Sequence, residues 1–550
     1  MNDGGETLLR RGQFRAAECD RDGFQQYRAP RGNLKSLVEP RFEEVPDLLQ
    51  SNIDCLKSHG EPFVSLRKAA REQLIDGAVR YTSAYRNVDW VEDWARTHQN
   101  APIIMAGHQP AIFHPGVWFK NFALSHLAEN TGGLAINLVV DNDVASSSGI
   151  RVPTLDRSTG LGSYQLVSYD DAGGGVPYEQ TTIQNRQKFD RFDEEVAQVI
   201  RPLVSDPCVK PLWHHAQEAI ARCGVAGCAL AQARHGLEGQ MGLRTLELPL
   251  GVICRTPAFA EFVLSILDEM PRFQSCYNEA AGRYRRAHHI RSTAHPVPDL
   301  ADDGQWFEAP LWIYGDDSPQ RRAAWVRRVD DQLVISDRAG RELSIDARFP
   351  KLAAEQMASH ASPNFKLRPR ALLTTMYSRL VLSDLFLHGI GGGKYDQLGD
   401  LIIKQFFGIE PPQFMVISAT IQLPGFETDA GRDWHATKIA RLKRAIRDTI
   451  YQGERFAAQI PLSELDVEQK RQLIGEMPPR GHRREWHREL EAVNRRLEAQ
   501  TEPIRSELRS QLYGAEQAAA TDAWLSSREH PFCLFPLEYL QSAYRELLQG

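Results

Sequence analysis

From Ala106 to Leu124 the chain reads AGHQPAIFHPGVWFKNFAL, where His108 and His114 bracket a proline-containing turn and Pro115-Gly116 opens a helical pattern. The first turn of a helix carries N–H groups without intrahelical partners and a partial positive charge, a ready site for phosphate or carboxylate. His108 and His114 would add donors there, stabilising negative charge as it develops in phosphoryl or acyl transfer. Gly107 would let backbone approach the ligand closely, and Lys120, about one helical turn on, would supply charge. The pattern is neither a G-x-x-x-x-G-K-[ST] loop nor a G-x-G-x-x-G fingerprint.

Three other clusters carry chemistry. Asp141-Asn142-Asp143 follows an apolar run, and Asp141 and Asp143 would orient ribose, a substrate amine or Mg²⁺; the same residues also suit turns and caps. In HGIGGGKYD, the N–H groups of Gly391, Gly392 and Gly393 would cradle an anion with Lys394 as counter-charge; a flexible connection between helices is the bland alternative. YRRAHHIR gathers Arg285, Arg286, His288 and Arg291, residues suited to a phosphate or carboxylate substrate, or to a solvated helix face. Cys223 and Cys228, with His214, His215 and His235, have spacing too wide and too helical for zinc, so no metal site is expected among them.

The elements that must position these groups follow from hydrophobic periodicity. APIIMA and LAINLVV read as buried strands on either side of the helix GVWFKNFALSHLAEN, a βαβ unit that implies a parallel sheet. ELPLGVICRT and QFMVISAT read as further strands, and ALLTTMYSRLVLSDLFLH as one helix. Short alternating runs between residues 305 and 350 predict an antiparallel insertion. Two long polar helical segments follow residue 433, as in a projecting hairpin, and the apolar tail FCLFPLEYLQSAY would fold back on a core. The first thirty residues read as a polar arm with little structure of its own. The expected division is 1–100 helical, 101–304 core, 305–350 insertion, 351–430 core, 431–530 hairpin and 531–550 closing segment.

With 550 residues, 42% of them hydrophobic and 25% charged, the composition is that of a globular protein. No apolar run is long enough to span a membrane, and no secretory signal is visible. A net charge of −6 argues against a broad nucleic-acid surface. Eight scattered cysteines are too few for a disulfide framework and point to reduced thiols in the cytoplasm.

Read together, distant segments resemble the bacillithiol-synthesis cysteine-adding enzymes. Gly107, Gln109, Pro110, Phe113 and Lys120 match that family's first motif. Arg368, Pro369, Ile390, Gly391, Gly392, Gln397, Leu398, Phe407, Gly408 and Ile409 match its later block, and the Leu-Phe-Pro tail matches its end. The family's Pro-Gly-Glu after the paired glycines is Gly393-Lys394-Tyr395 here, and residues 150–365 do not align. The resemblance implies an α/β fold with a Rossmann-like parallel core and a coiled-coil-like hairpin, often dimeric. It implies a role for Gln109 beside the bound nucleotide, and a ligase forming a carbon–nitrogen bond by adding cysteine to the amine of glucosaminyl malate.

The expected protein is thus a nucleotide- or phosphate-binding ligase or nucleotidyltransferase-like enzyme using ATP or another nucleotide, with Mg²⁺ as a candidate cofactor. Its substrate is a small molecule, and a homodimer would form through the hairpin. The alternative is a non-catalytic nucleotide-binding protein whose hairpin recruits a partner.

Overall fold

A computed structural model describes residues 23–97, 101–156, 161–171, 173–426 and 430–549. Cys19 and the arm expected before residue 23 lie outside the described residues. Thirteen strands are described: β1 (Lys35–Glu39), β2 (Ile103–His108), β3 (Leu134–Val139), β4 (Gly149–Leu155), β5 (Gly162–Ser168), β6 (Leu246–Pro249), β7 (Phe307–Gly315), β8 (Ser318–Val329), β9 (Gln332–Ser336), β10 (Glu342–Asp346), β11 (Lys366–Pro369), β12 (Leu385–His388) and β13 (Met415–Thr420).

The protein is mixed α/β. Six strands form a central sheet in the order β1-β13-β12-β2-β3-β6, parallel except for β1, which runs antiparallel along β13. Chain order runs outward from β2 in both directions, to β3 and β6 on one side and to β12 and β13 on the other. The reversal falls between β2 and β12, where Leu387 is level with Ala106. In open parallel sheets ligands bind beyond the strand carboxyl ends at such a reversal.

Both faces of the parallel part of this sheet are covered, so its strands are mainly apolar rather than alternating, with Asn137 and Glu247 as buried exceptions. One face (Met105, Ile136, Leu138, Leu248, Phe386) packs on the helices Glu61–Ser83, Pro257–Leu267 and Ala371–Tyr377. The other (Ile104, Ala106, Ala135, Leu387, Ile417) packs on the helix Pro115–Thr131 and on the tail residues Phe532–Phe535. That helix begins with Pro115 at its first position and ends at left-handed Gly132, φ 64°. Among the described residues no further strand is added at the β6 margin. The Thr82 hydroxyl bonds both the N–H (3.0 Å) and the carbonyl (3.3 Å) of Glu247.

A second sheet, β10-β9-β8-β7-β11, is antiparallel, and β4-β5 form a separate hairpin. Beyond residue 430 the helices Ala430–Tyr451 and Glu502–Leu525 run antiparallel, joined by Lys443–Glu516, His435–Asp522 and the Thr501 hydroxyl on the Thr449 carbonyl. Two expectations need correcting. The apolar run before His388 is not one helix: Ser383-Asp384 break it, and Leu385–His388 is a strand. The second of the two long polar segments, about Arg483 to Tyr513, is two helices rather than one. It divides at Thr501, because Pro503 cannot donate within a helix interior and instead occupies the first turn of a new one.

Candidate functional site

Since β2 and β12 are hydrogen-bonded neighbours, the turn after His108 and the glycine turn after His388 leave the same end of the sheet side by side. Two distant sequence segments thus meet at one edge of the sheet. Lys120 lies beneath it: its ammonium donates to the Gly107 carbonyl at 2.7 Å, and burial, with the Arg234 charge, pulls its pKa down to about 7. Gly107 itself is inside β2 rather than in the turn.

The glycine turn is a helix start. Gly389 is the N-cap of the helix Ile390–Ile402, and no side chain caps it. Gly393 N–H already bonds the Gly389 carbonyl, which leaves the N–H groups of Ile390, Gly391 and Gly392 as the helix's outward donors. A Cβ at Gly389 or Gly391 would meet nothing within 4 Å, whereas one at Gly392 would stand 2.7 Å from His388 Nδ1. His388 Nε2 donates to Asp396 at 2.9 Å; Asp396 also accepts from Arg379 (2.6 Å) and Thr375 (2.5 Å). Burial lowers the His388 pKa below its ordinary value, so the ring is neutral with Nδ1 as its basic nitrogen. For Asp396, burial is outweighed by Arg379 and His388, and the carboxyl is held well below the usual range.

Farther along the same edge, Asp143 joins the first turn to the antiparallel sheet. It accepts from Gln109, from Arg321 at 3.2 Å and from the Val144 N–H at 2.8 Å. Asp141 accepts from the Gly251 N–H at 3.0 Å. Burial and the neighbouring Glu179 anion push Asp141 up to about 7. Glu179 pairs with Arg368 through two 2.9 Å bonds and accepts from Tyr314 at 2.5 Å; these donors outweigh burial and hold it below its usual value.

Other expectations do not survive this geometry. The start of the helix Pro115–Thr131 is not an anion site. Pro115 has no N–H, Gly116 N–H bonds His114 Nδ1 at 3.1 Å, and Val117 N–H bonds the His114 carbonyl at 3.0 Å. A Cβ at Gly116 would stand 1.8 Å from the Ala419 carbonyl, so this helix end is pressed against β13. His114 is the N-cap, and burial with the Arg528 charge drops its pKa to about 3. A neutral ring whose Nδ1 is an acceptor cannot serve as a cationic donor there. The His108 ring packs on Phe113 and bonds Asn121 at 3.1 Å; burial, Arg234 and Lys120 keep it neutral.

The arginine cluster does not converge. Arg285 is spent on its own loop, bonding the carbonyls of Thr293, His295 and Val297 and the Asp299 carboxylate. Arg286 and Arg291 face solvent, and His288 packs on Tyr284 and bonds Gln26 at 2.8 Å. Lys394 is half-buried on the first turn of its helix, with no ion pair among the described residues. His388, Asp396, Arg379 and Glu179 were not among the expected site residues. A histidine closing an apolar run, with an aspartate one helical turn beyond a glycine turn, is the pattern that points to the first two.

The chain matches no protein-family model and no curated protein. Among the described residues no helix is long and apolar enough to cross a membrane.

Proposed function

We propose that the β2–β12 edge of the sheet is the active centre of a ligase or transferase that binds a nucleotide or another phosphate-bearing substrate. The carrying observation is the uncapped glycine start of the helix Ile390–Ile402 beside the His388–Asp396 pair. Phosphate or carboxylate would be held by the Ile390, Gly391 and Gly392 N–H groups, with Lys394 as counter-charge. His388 Nδ1 would take a proton from an attacking amine or hydroxyl, with Asp396 fixing its tautomer. Lys120 braces the neighbouring turn from below. Asp141, whose carboxyl titrates near neutrality, is the second proton-handling group on the edge. No residue is assigned to Mg²⁺, since Asp141 and Asp143 spend oxygens on backbone N–H groups, Gln109 and Arg321.

The outward strand order from β2 supports the Rossmann-like description, and the resemblance to the cysteine-adding enzymes supports an amino acid and an amino-sugar amine as the joined parts. Thermal-shift titration with ATP, ADP, inorganic phosphate and glucosaminyl malate, then mass spectrometry of mixtures with cysteine, tests this. Stabilisation by at least one anion, abolished in His388→Ala/Gly392→Ala, is expected; no shift with any of them sinks the proposal.

One observation favours a second use of the chain. Tyr451 (64% exposed), Leu465 (79%) and Tyr513 (64%) stand on the outer helices with their apolar surface in solvent. Under that alternative these helices dimerise or bind a partner, and sedimentation of the protein with and without residues 434–525 would reveal it.

A further inference from the structure

On the sheet face beneath the helix Pro115–Thr131 lies a buried polar cluster that the proposed chemistry does not use. Arg234 and Glu238 stand one turn apart on the helix Ala226–Gln240, and Glu247 sits within β6. Glu238 Oε1 accepts three bonds, from Trp118 (2.7 Å), Asn121 (2.6 Å) and Arg234 (2.7 Å). Arg234 also donates to Glu247 Oε1. The second oxygen of each glutamate, Oε2, is buried with no hydrogen-bond partner.

A separate observation points at the same spot. Asn137 on β3 is the register partner of Glu247, so both side chains project from one face of adjacent strands. Asn137 is 1% exposed, and neither its Oδ1 nor its Nδ2 has a partner. His235 closes the group: its Nε2 lies 3.1 Å from the Thr245 carbonyl and 2.9 Å from the Thr245 hydroxyl, so the proton sits on Nε2. The Nδ1 lone pair then faces the Tyr85 hydroxyl at 2.7 Å and Glu247 Oε2 at 3.8 Å. One ligand atom from each of His235, Glu238 and Glu247 lies within 4.8 Å of the others.

Each unpartnered buried polar group costs about 1–3 kcal/mol, so four such atoms in one place call for an occupant. Two carboxylate oxygens and the amide oxygen are unpartnered lone-pair donors, and the imidazole Nδ1, which holds the Tyr85 hydroxyl, is a fourth lone pair beside them. A single water offers only two protons to them, whereas one cation accepts from all four. Two glutamates face Arg234 and, from the His235 carbonyl, Arg86, so the charges of the cluster nearly balance before an ion enters. One nitrogen with three oxygens suits Zn²⁺ or Mn²⁺ better than Mg²⁺.

We propose that His235, Glu238, Glu247 and Asn137 form an internal site for one Zn²⁺ or Mn²⁺ ion that braces β3, β6 and the helix Ala226–Gln240. The site is structural and independent of the chemistry at the β2–β12 edge, although Asn121 links Glu238 to His108.

The test uses the full-length protein, stripped with chelator, loaded separately with Zn²⁺ and Mn²⁺, and freed of excess ion. Elemental mass spectrometry should find about one equivalent of one of them retained, with a higher unfolding temperature. Glu247→Gln, which keeps the side-chain volume, should retain less than about a tenth of an equivalent, and Asn137→Ala should bind at least about tenfold more weakly. X-ray absorption of the loaded wild type should show nitrogen and oxygen neighbours only. No cation retained by the wild type, equal retention by Glu247→Gln, or sulfur in the coordination sphere would each overturn the site. The first of these outcomes would leave ordered water as the occupant.

Discussion

His388 Nε2 lies 2.9 Å from Asp396 Oδ2, with both side chains almost wholly buried at the start of one helix. The glycine turn bends the chain back so that a residue at the end of β12 meets one on the first helical turns. The pair is anchored by Arg379, which also holds Asp400 at 2.7 Å. Asp396→Asn should therefore reduce product formation by at least about 100-fold, the scale of a lost general base. It should also destabilise the fold by about 3 kcal/mol, because Arg379 keeps only one carboxylate. Turnover and urea unfolding measure the two effects; turnover within about threefold of wild type removes the pair from the mechanism.

Two adjacent glycines should respond differently. Gly391→Ala meets open space, and alanine favours a helix over glycine by about 1 kcal/mol, so stability should hold or rise slightly. Gly392→Ala would drive a methyl to 2.7 Å from His388 Nδ1 and displace the ring. Anion affinity by calorimetry should fall at least about tenfold in the second variant relative to the first. Equal affinities would show that His388 does not face the bound anion.

Asp141 ties stability to pH. Its folded carboxyl keeps a proton up to about pH 7, while an unfolded one releases it near its ordinary value of 3.8. Between those values the folded state binds more protons, so this group's contribution falls as pH rises through the window. Asp141→Asn retains an acceptor for Gly251 N–H and removes the titration. Relative to wild type, the variant should gain stability between about pH 4 and about pH 7, by an amount of the order of a few kcal/mol. Urea unfolding at several pH values measures it, and a difference that is flat with pH would refute the assignment.

His114→Ala removes the N-cap and should cost about 1 kcal/mol. Asn is a good cap, so His114→Asn should recover most of that loss. If both variants are equally destabilised in urea, the Nδ1 bond to Gly116 is not what His114 contributes.

The βαβ unit was legible because Ile103–Ala106 and Leu134–Val139, apolar but for Asn137, flank a helix with clear ends. β12 was not, since a buried strand of four residues has no periodicity to distinguish it from the helix before it. That one error hid the nature of the glycine turn, which follows a strand. The choice between two helix starts was equally invisible: both follow histidines, and only tertiary packing at Gly116 shows which is closed. Glu247, a charge inside an apolar strand, was a visible signal that motif reading passed over. Its partners Arg234 and Glu238, one helical turn apart among alanines, were visible too.

Thr82 has a consequence for self-association. By engaging both backbone groups of Glu247, a single hydroxyl occupies the hydrogen-bonding margin where a foreign strand would otherwise dock. The opposite margin of the sheet is formed by β1, which runs antiparallel along β13. Addition of a strand along the β6 margin is disfavoured at Glu247 by the Thr82 hydroxyl.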